Sequence, residues 1–126
     1  MNKDKITLPV IPLRGITIFP NMIIHFDIGR EKSIGALEAS MLQHGEIFLV
    51  SQINPEIEEP NEEDLYSIGT ICKVKQILKL PKGVTRVLVE GIERAEVISV
   101  IDNDNFLNLE VEKCLNDSEN IETQED

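Results

Sequence analysis

"TICKVKQILKLPKGVTRVLVEG", residues 70–91, places Pro-Lys-Gly between two runs rich in β-branched and aliphatic residues. Such runs favour the pleated, half-buried surface of a strand. Pro81, with φ already fixed, suits the second position of a tight turn. The stretch therefore predicts a long hairpin, roughly 70–90. A loop from Pro81 to Val84 pairs Leu78 with Val87 on the inner face. The same register sets Lys75 beside Glu90 and Ile77 beside Leu88 on the outer face. A charge pair and an apolar pair falling together support it. Gly91 marks a bulge or bend, after which "RAEVISVI" (94–101) continues as another strand.

Working outward, "NMIIHFDIG" (21–29) alternates, with Met22, Ile24, Phe26 and Ile28 on one face. Asn21, His25 and Asp27 share the other face with Ile23. "REKSIGALEASMLQHG" (30–45) is the one convincing helix, roughly 31–44, with Ile34, Leu37 and Met41 as its buried stripe. Gly45 is its natural C-terminal stop. "EIFLVSQ" (46–52) is apolar on both faces and reads as a central strand. The acidic, proline-containing stretch 53–69 reads as an exposed loop with one helical turn around Asn61–Leu65. "DNDN" (102–105) turns the chain into "FLNLEVEKC" (106–114), where Leu107, Leu109 and Val111 point inward. Strands at this density, with one early helix, predict a mainly β (α+β) fold. A small closed or nearly closed antiparallel barrel removes the sticky edges.

"LPVIPLRGITIFPN" (8–21) is apolar yet carries three prolines and an arginine. Proline cannot donate to a β-ladder, so Pro9 and Pro12 suit an edge or first strand. Alternation puts Ile16 and Ile18 inside and Thr17 and Phe19 outside. Arg14 is expected to anchor loop carbonyls or the acidic loop.

The 126 residues fit one domain, 1–116, followed by an acidic linker at 117–126 with almost nothing to bury. Apolar residues make up 41% and aromatics 4%, so the core is aliphatic. The net charge of −11 is uneven: residues 102–126 carry −8, residues 56–64 carry −6, and the remainder carries +3. A near-neutral body disfavours a nucleic-acid footprint, which needs clustered Lys and Arg. No run is long and apolar enough to span a bilayer, and "MNKDKITLPV" has no signal-peptide pattern. Cys72 and Cys114 lack metal-ligand spacing and read as reduced thiols, so the expected location is cytoplasmic.

Catalytic patterns are missing from the sequence. No Gly-rich phosphate loop and no G-x-S-x-G elbow occur. His25 and His44 fall on different elements, and the acidic run lacks the turn glycine of a calcium loop. No cofactor and no metal are expected for this domain. The residues by themselves describe a small β-rich binding module.

Several motifs then fall in order: "PLR" (12–14), "FP" (19–20), "GREKSI" (29–34), "EEP" (58–60), "IGT" (68–70), "LKLP" (78–81), "VLVEG" (87–91) and "RA" (94–95). Together they cover nearly all of residues 8–100, and in sequence they resemble the N-terminal domain of Lon, the ATP-dependent protease. Members often carry proline where this chain has His25, so no family role passes to that position. The resemblance implies a PUA-like β-pseudobarrel of about six strands that engages unfolded or damaged proteins. In the whole enzyme such a domain serves a hexameric AAA+ motor, using ATP and Mg, and a Ser-Lys protease chamber. The motifs of both engines are missing here, so the expectation is an excised domain, or as the lesser alternative a natural stand-alone member, that is itself no enzyme. Two further readings accompany this one: an architectural module for assembly, and an RNA-binding module, since PUA-like barrels also occur in RNA-modifying proteins.

A receptor for unfolded chains needs exposed apolar surface rather than a shaped pocket. The candidates are Phe19, Pro20 and Met22 in the first segment, Ile77 and Leu88 on the hairpin's outer face, and Leu80 with Pro81 at its tip. The outer basics Lys73, Lys75, Lys79, Lys82 and Arg86 suit acidic peptides or the chain's own acidic segments.

Overall fold

The computed structural model describes residues 5–29, 31–58, 60–101 and 107–114. At its centre lies β3 (Glu46–Ser51), the strand expected to be central, with Ile47, Phe48, Leu49 and Val50 all buried. Its two faces separate two cores. Phe48 and Val50 join Leu8, Val10, Ile71, Ala95, Leu109 and Val111 in one; Ile47 and Leu49 join Leu37, Phe26, Ile28, Val87 and Val89 in the other.

On one side β3 pairs antiparallel with β4 (Ile68–Lys79), and on the other it pairs with β1 (Lys5–Leu13). The β1–β3 pairing is parallel, with Val10 opposite Phe48. That corrects the expectation of an all-antiparallel barrel. A parallel pair needs a crossover, which β2 (Ile23–Ile28) and α1 (Glu31–Met41) supply between the two strands. The first half of β1 pairs with β6 (Asn108–Lys113), and β6 pairs with the far end of β5 (Thr85–Val100). The ring β1-β3-β4-β5-β6 thereby closes, and β2 adds to the near half of β5. Among the described residues, six strands and one α-helix make the fold mainly β, as the sequence predicts.

β1 is an interior strand rather than an edge, and the ladder explains how it holds two prolines. The Val10 N–H donates to Leu107 O, so Val10 faces β6 and Pro9 turns its nitrogen toward β3. Pairing with β3 starts only at Val10. Pro12 turns its nitrogen back toward β6, where that pairing has already ended at Pro9. Among the described residues, each missing donor falls where the ladder on that side has no recorded pair.

The helix is shorter than expected and buries a different stripe. Ser33, Ala36, Leu37 and Ser40 are buried, Ile34 is half-buried, and Met41 is 48% exposed. Small residues let α1 lie close on β1, and the Ser40 hydroxyl is satisfied by donating to Leu37 O at 2.7 Å. Gly45 ends the turn as expected, at φ +74° with its N–H on Ser40 O at 2.8 Å.

The hairpin forms one residue out of the expected register. Lys82 and Gly83 both take positive φ, giving a three-residue loop, Pro81–Gly83, closed by Leu80 N–H donating to Val84 O at 2.8 Å. Ile77 now faces Val87, Leu78 faces Arg86 and Gln76 faces Leu88. A slip of one residue exchanges faces. Ile77 therefore packs against the core while Leu78 is 51% exposed, the reverse of the expectation. The Lys75–Glu90 ion pair still forms at 3.6 Å, because a bulge between Val74 and Gln76 absorbs Lys75. A second bulge follows Gly91, so β5 continues as one strand instead of two.

In the acidic loop the expected turn is present as a 3-10 turn, Glu62–Asp64, with Asp64 Oδ2 accepting the Asn61 N–H at 2.8 Å. Arg14 donates to the Ile57 carbonyl at 3.4 Å, the expected anchor, and Gln52 Nε2 donates to the same oxygen at 2.9 Å. The turn at 102–105 and the linker at 117–126 lie outside the described residues.

Candidate functional site

Phe19–Pro20–Asn21–Met22 forms a tight turn. Proline stands second, Asn21 third at φ +72°, and the Met22 N–H donates to Phe19 O at 3.1 Å. This is the pattern of a type II turn. Gly91 fixes it to β5: the Asn21 N–H donates to Gly91 O, and the Gly91 N–H donates to Met22 O, both at 2.8 Å. The preceding residue is tied as well, since the Thr70 hydroxyl donates to Ile18 O. Ile18 is buried as expected, whereas Ile16 is 40% exposed.

Anchored this way, Phe19 stands 47% exposed. The Arg94 guanidinium lies 5.2 Å from its ring centroid, an attractive cation–π distance. Among the described residues Arg94 Nε is buried without a hydrogen-bond partner. Pro20 is half-buried at the surface. Met22 instead turns inward: it packs against the core, and its sulfur accepts the Phe19 N–H at 3.2 Å.

Starting at Ile23, just after this turn, an apolar seam crosses the outer face of the β2–β5–β4 sheet. Ile23, 61% exposed, sits opposite Glu90; Leu88 lies two positions along β5; Leu78 sits opposite Arg86, two positions further. Diagonal neighbours of this kind lie within reach of long side chains. Leu80 and Pro81 continue to the hairpin tip, half-buried and exposed respectively. From Gly91 to Val84 the seam spans about 23 Å at the rise of a strand. Asp27–Arg86 at 2.8 Å and Lys75–Glu90 at 3.6 Å flank it. The Arg86 hydrogen bond holds the exposed Asp27 carboxyl below its usual pKa.

Of the seven candidates, Phe19, Pro20, Leu80, Pro81 and Leu88 are at the surface, while Ile77 and Met22 belong to the core. Phe19 and the tip are not one patch by themselves. Ile23 and Leu78, absent from the sequence candidates, carry the outer seam with Leu88 toward the tip, while Phe19 stands over the other side of β5. Ile23 was legible in the alternation as the apolar member of a polar face. Leu78 was hidden by the register.

The apolar side chains of the seam offer contact area and no reactive group. Burial pushes the Cys72 thiol up to about 12, so it is no nucleophile. Among the described residues no three His, Cys, Asp or Glu side chains cluster to hold a metal ion, and no helix is long and apolar enough to cross a membrane.

Residues 7–126 match the family described as the ATP-dependent protease La (LON) substrate-binding domain. The chain is 48% identical over 125 residues to the Lon protease of Clostridium acetobutylicum, covering 99% of this chain and 16% of that protein. It is 50% identical over 117 residues to the Lon protease of Clostridioides difficile, covering 93% of this chain and 15% of that one. The chain thus spans a small fraction of the curated relatives it matches. Its fold superposes on the N-terminal domain of the Mycobacterium avium complex Lon protease with a TM-score of 0.65 at 20% identity, covering 85% of this chain and 53% of that one. A Lon N-terminal domain protein from Xanthomonas campestris gives 0.66 at 17% identity, over 86% and 60% of the two chains. The barrel, the motifs across residues 8–100 and these relationships lead to one conclusion: the chain belongs to the substrate-binding domain family of the Lon proteases.

Proposed function

We propose that this domain captures unfolded or damaged proteins through the outer apolar seam and presents them to the rest of a cytoplasmic ATP-dependent Lon-type protease. Its AAA+ motor, with ATP and Mg, unfolds and threads the substrate, and its Ser-Lys chamber cuts it. The domain itself is non-catalytic. The observation that carries this reading is the exposure of Ile23, Leu78 and Pro81 on the outer face, beside half-buried Leu88 and Leu80, with Phe19 exposed on the turn that leads into β2. Unfolded chains offer apolar side chains without fixed order, which a shallow seam accepts and a shaped pocket rejects. Each buried side chain contributes about 1.5–3 kcal/mol before ordering costs, so capture by one domain is weak. Six copies on a hexamer make it effective. The test is binding of one protein in its native form and in its permanently unfolded, reduced and carboxymethylated form. The unfolded form binds and the native form does not; equal binding of both contradicts the reading.

A second role, in assembly, is favoured by a separate observation. Met41 and Leu42, at the end of α1, are 48% and 88% exposed, on an element apart from the seam. Sedimentation of the domain across concentrations, with and without Leu42→Lys, tests whether they join copies.

A further inference from the structure

We infer that the open edge of β2 takes up unfolded polypeptide as an added β-strand, so that capture reads main chain as well as apolar side chains. This rests on the substrate-binding reading and specifies what part of the substrate is bound.

Among the described residues, β2 pairs on one side only, with β5. Because the Gly91 N–H donates to Met22 O, the antiparallel alternation gives the backbone groups of Ile24, Phe26 and Ile28 to β5. Those of Ile23, His25 and Asp27 point to the open side. Among the described residues no backbone hydrogen bond outside the β5 ladder reaches these three. A row of donors and acceptors at strand spacing is satisfied by another extended chain, whatever its sequence.

The surroundings fit one such chain. A cleft of about 360 Å³ opens beside the second half of β2, lined by Phe26, Asp27 and Ile28 and, opposite, by Leu13, Arg14 and Ile16. Side chains of an added strand alternate between two faces. One set enters this largely apolar cleft; the other joins Ile23 on the outer seam. A cleft with a wall formed by Leu13–Ile16 admits a single extended segment, which favours unfolded polypeptide over a folded second copy. Unfolded proteins share no side-chain pattern but all share a backbone. An edge explains breadth of recognition that apolar contacts alone leave unspecified.

The experiment measures amide hydrogen exchange of the domain with a permanently unfolded, carboxymethylated protein as the probe. The amides of Ile23, His25 and Asp27 are expected to slow by at least ~10-fold, with Ile24, Phe26 and Ile28 unchanged. His25→Pro deletes one edge-facing donor and no ladder bond, and is expected to weaken binding about five-fold. If that variant does not fold, a short valine–threonine peptide decides on the unaltered domain: it binds, and its fully backbone-N-methylated form does not. Binding without alternating protection overturns the inference and leaves the seam reading standing. Protection that rises with domain concentration in the absence of probe assigns the edge to a second copy and overturns it too. Failure of the unfolded probe to bind at all overturns both.

Discussion

The carbonyl oxygen of Phe19 occupies the space that a side chain on Gly91 would need. This close approach, with two flanking backbone hydrogen bonds, holds the Phe19–Met22 turn on β5. Gly91 thus serves the surface as well as the strand, since the turn it seats presents Phe19 to solvent. Gly91→Ala is expected to destabilise the domain by about 1–3 kcal/mol, as overpacking against backbone does. Urea denaturation measures that loss, and unfolded-protein binding falls with it because Phe19 is displaced.

Phe19→Ser separates surface from scaffold. The ring is about half exposed, so its loss costs little stability, apart from the stacking under Arg94. Affinity for an unfolded probe is expected to drop by ~10-fold, the lower end of the scale for one buried side chain because the ring is half-buried already. Leu80→Ser at the tip moves affinity in the same direction with the fold intact by circular dichroism.

Ile77 and Leu78 are neighbours with opposite expected effects. Ile77→Ala removes core packing and is expected to cost roughly 1–3 kcal/mol of stability without changing recognition by the folded domain. Leu78→Ser leaves stability within about 0.5 kcal/mol and weakens binding of unfolded protein. Thermal melts and binding isotherms of the two variants read both halves of this contrast.

The Asp27–Arg86 pair sets a pH dependence whose sign follows from the lowered carboxyl pKa. A depressed folded pKa contributes stability above the ordinary value of 3.8, lost as pH falls through the folded value. Stability of the parent chain therefore declines in that acidic window partly through Asp27. Arg86→Gln removes this component and returns the Asp27 titration, followed by NMR, toward 3.8. Because the pair is exposed, the effect is small and shrinks with added salt.

Cys72 reports global opening. Its thiol is fully buried and pushed up to about 12, so alkylation at mildly alkaline pH is expected to spare it in the native state. Labelling of Cys72 follows the urea unfolding curve, as mass spectrometry of the peptide shows.

What was legible in the sequence were features that obey local rules. Alternation in "NMIIHFDIG" placed every residue of β2 on its observed face, and β3 showed its central position through unbroken apolar character. Gly45 and Pro81 marked their turns correctly. The motifs from "PLR" to "RA" led to the Lon family. The missed features depend on partners distant in sequence. The parallel β1–β3 pairing is set by where the crossover returns the chain, and so is the interior position of two prolines. Hairpin register turned on Lys82 taking positive φ, which a lysine does not advertise. That one residue moved Ile77 into the core and put Leu78 on the seam. α1 buries serines and alanine because it lies close on the sheet, a distance no helical period encodes.

Chemical-shift mapping of the isotope-labelled domain with native and permanently unfolded forms of one protein tests the seam most directly. The expected result is a set of changes at Phe19, Ile23, Leu78, Leu80 and Leu88 with the unfolded form alone. Changes that appear equally with both forms, or that gather on α1 around Met41 and Leu42 instead, would contradict it.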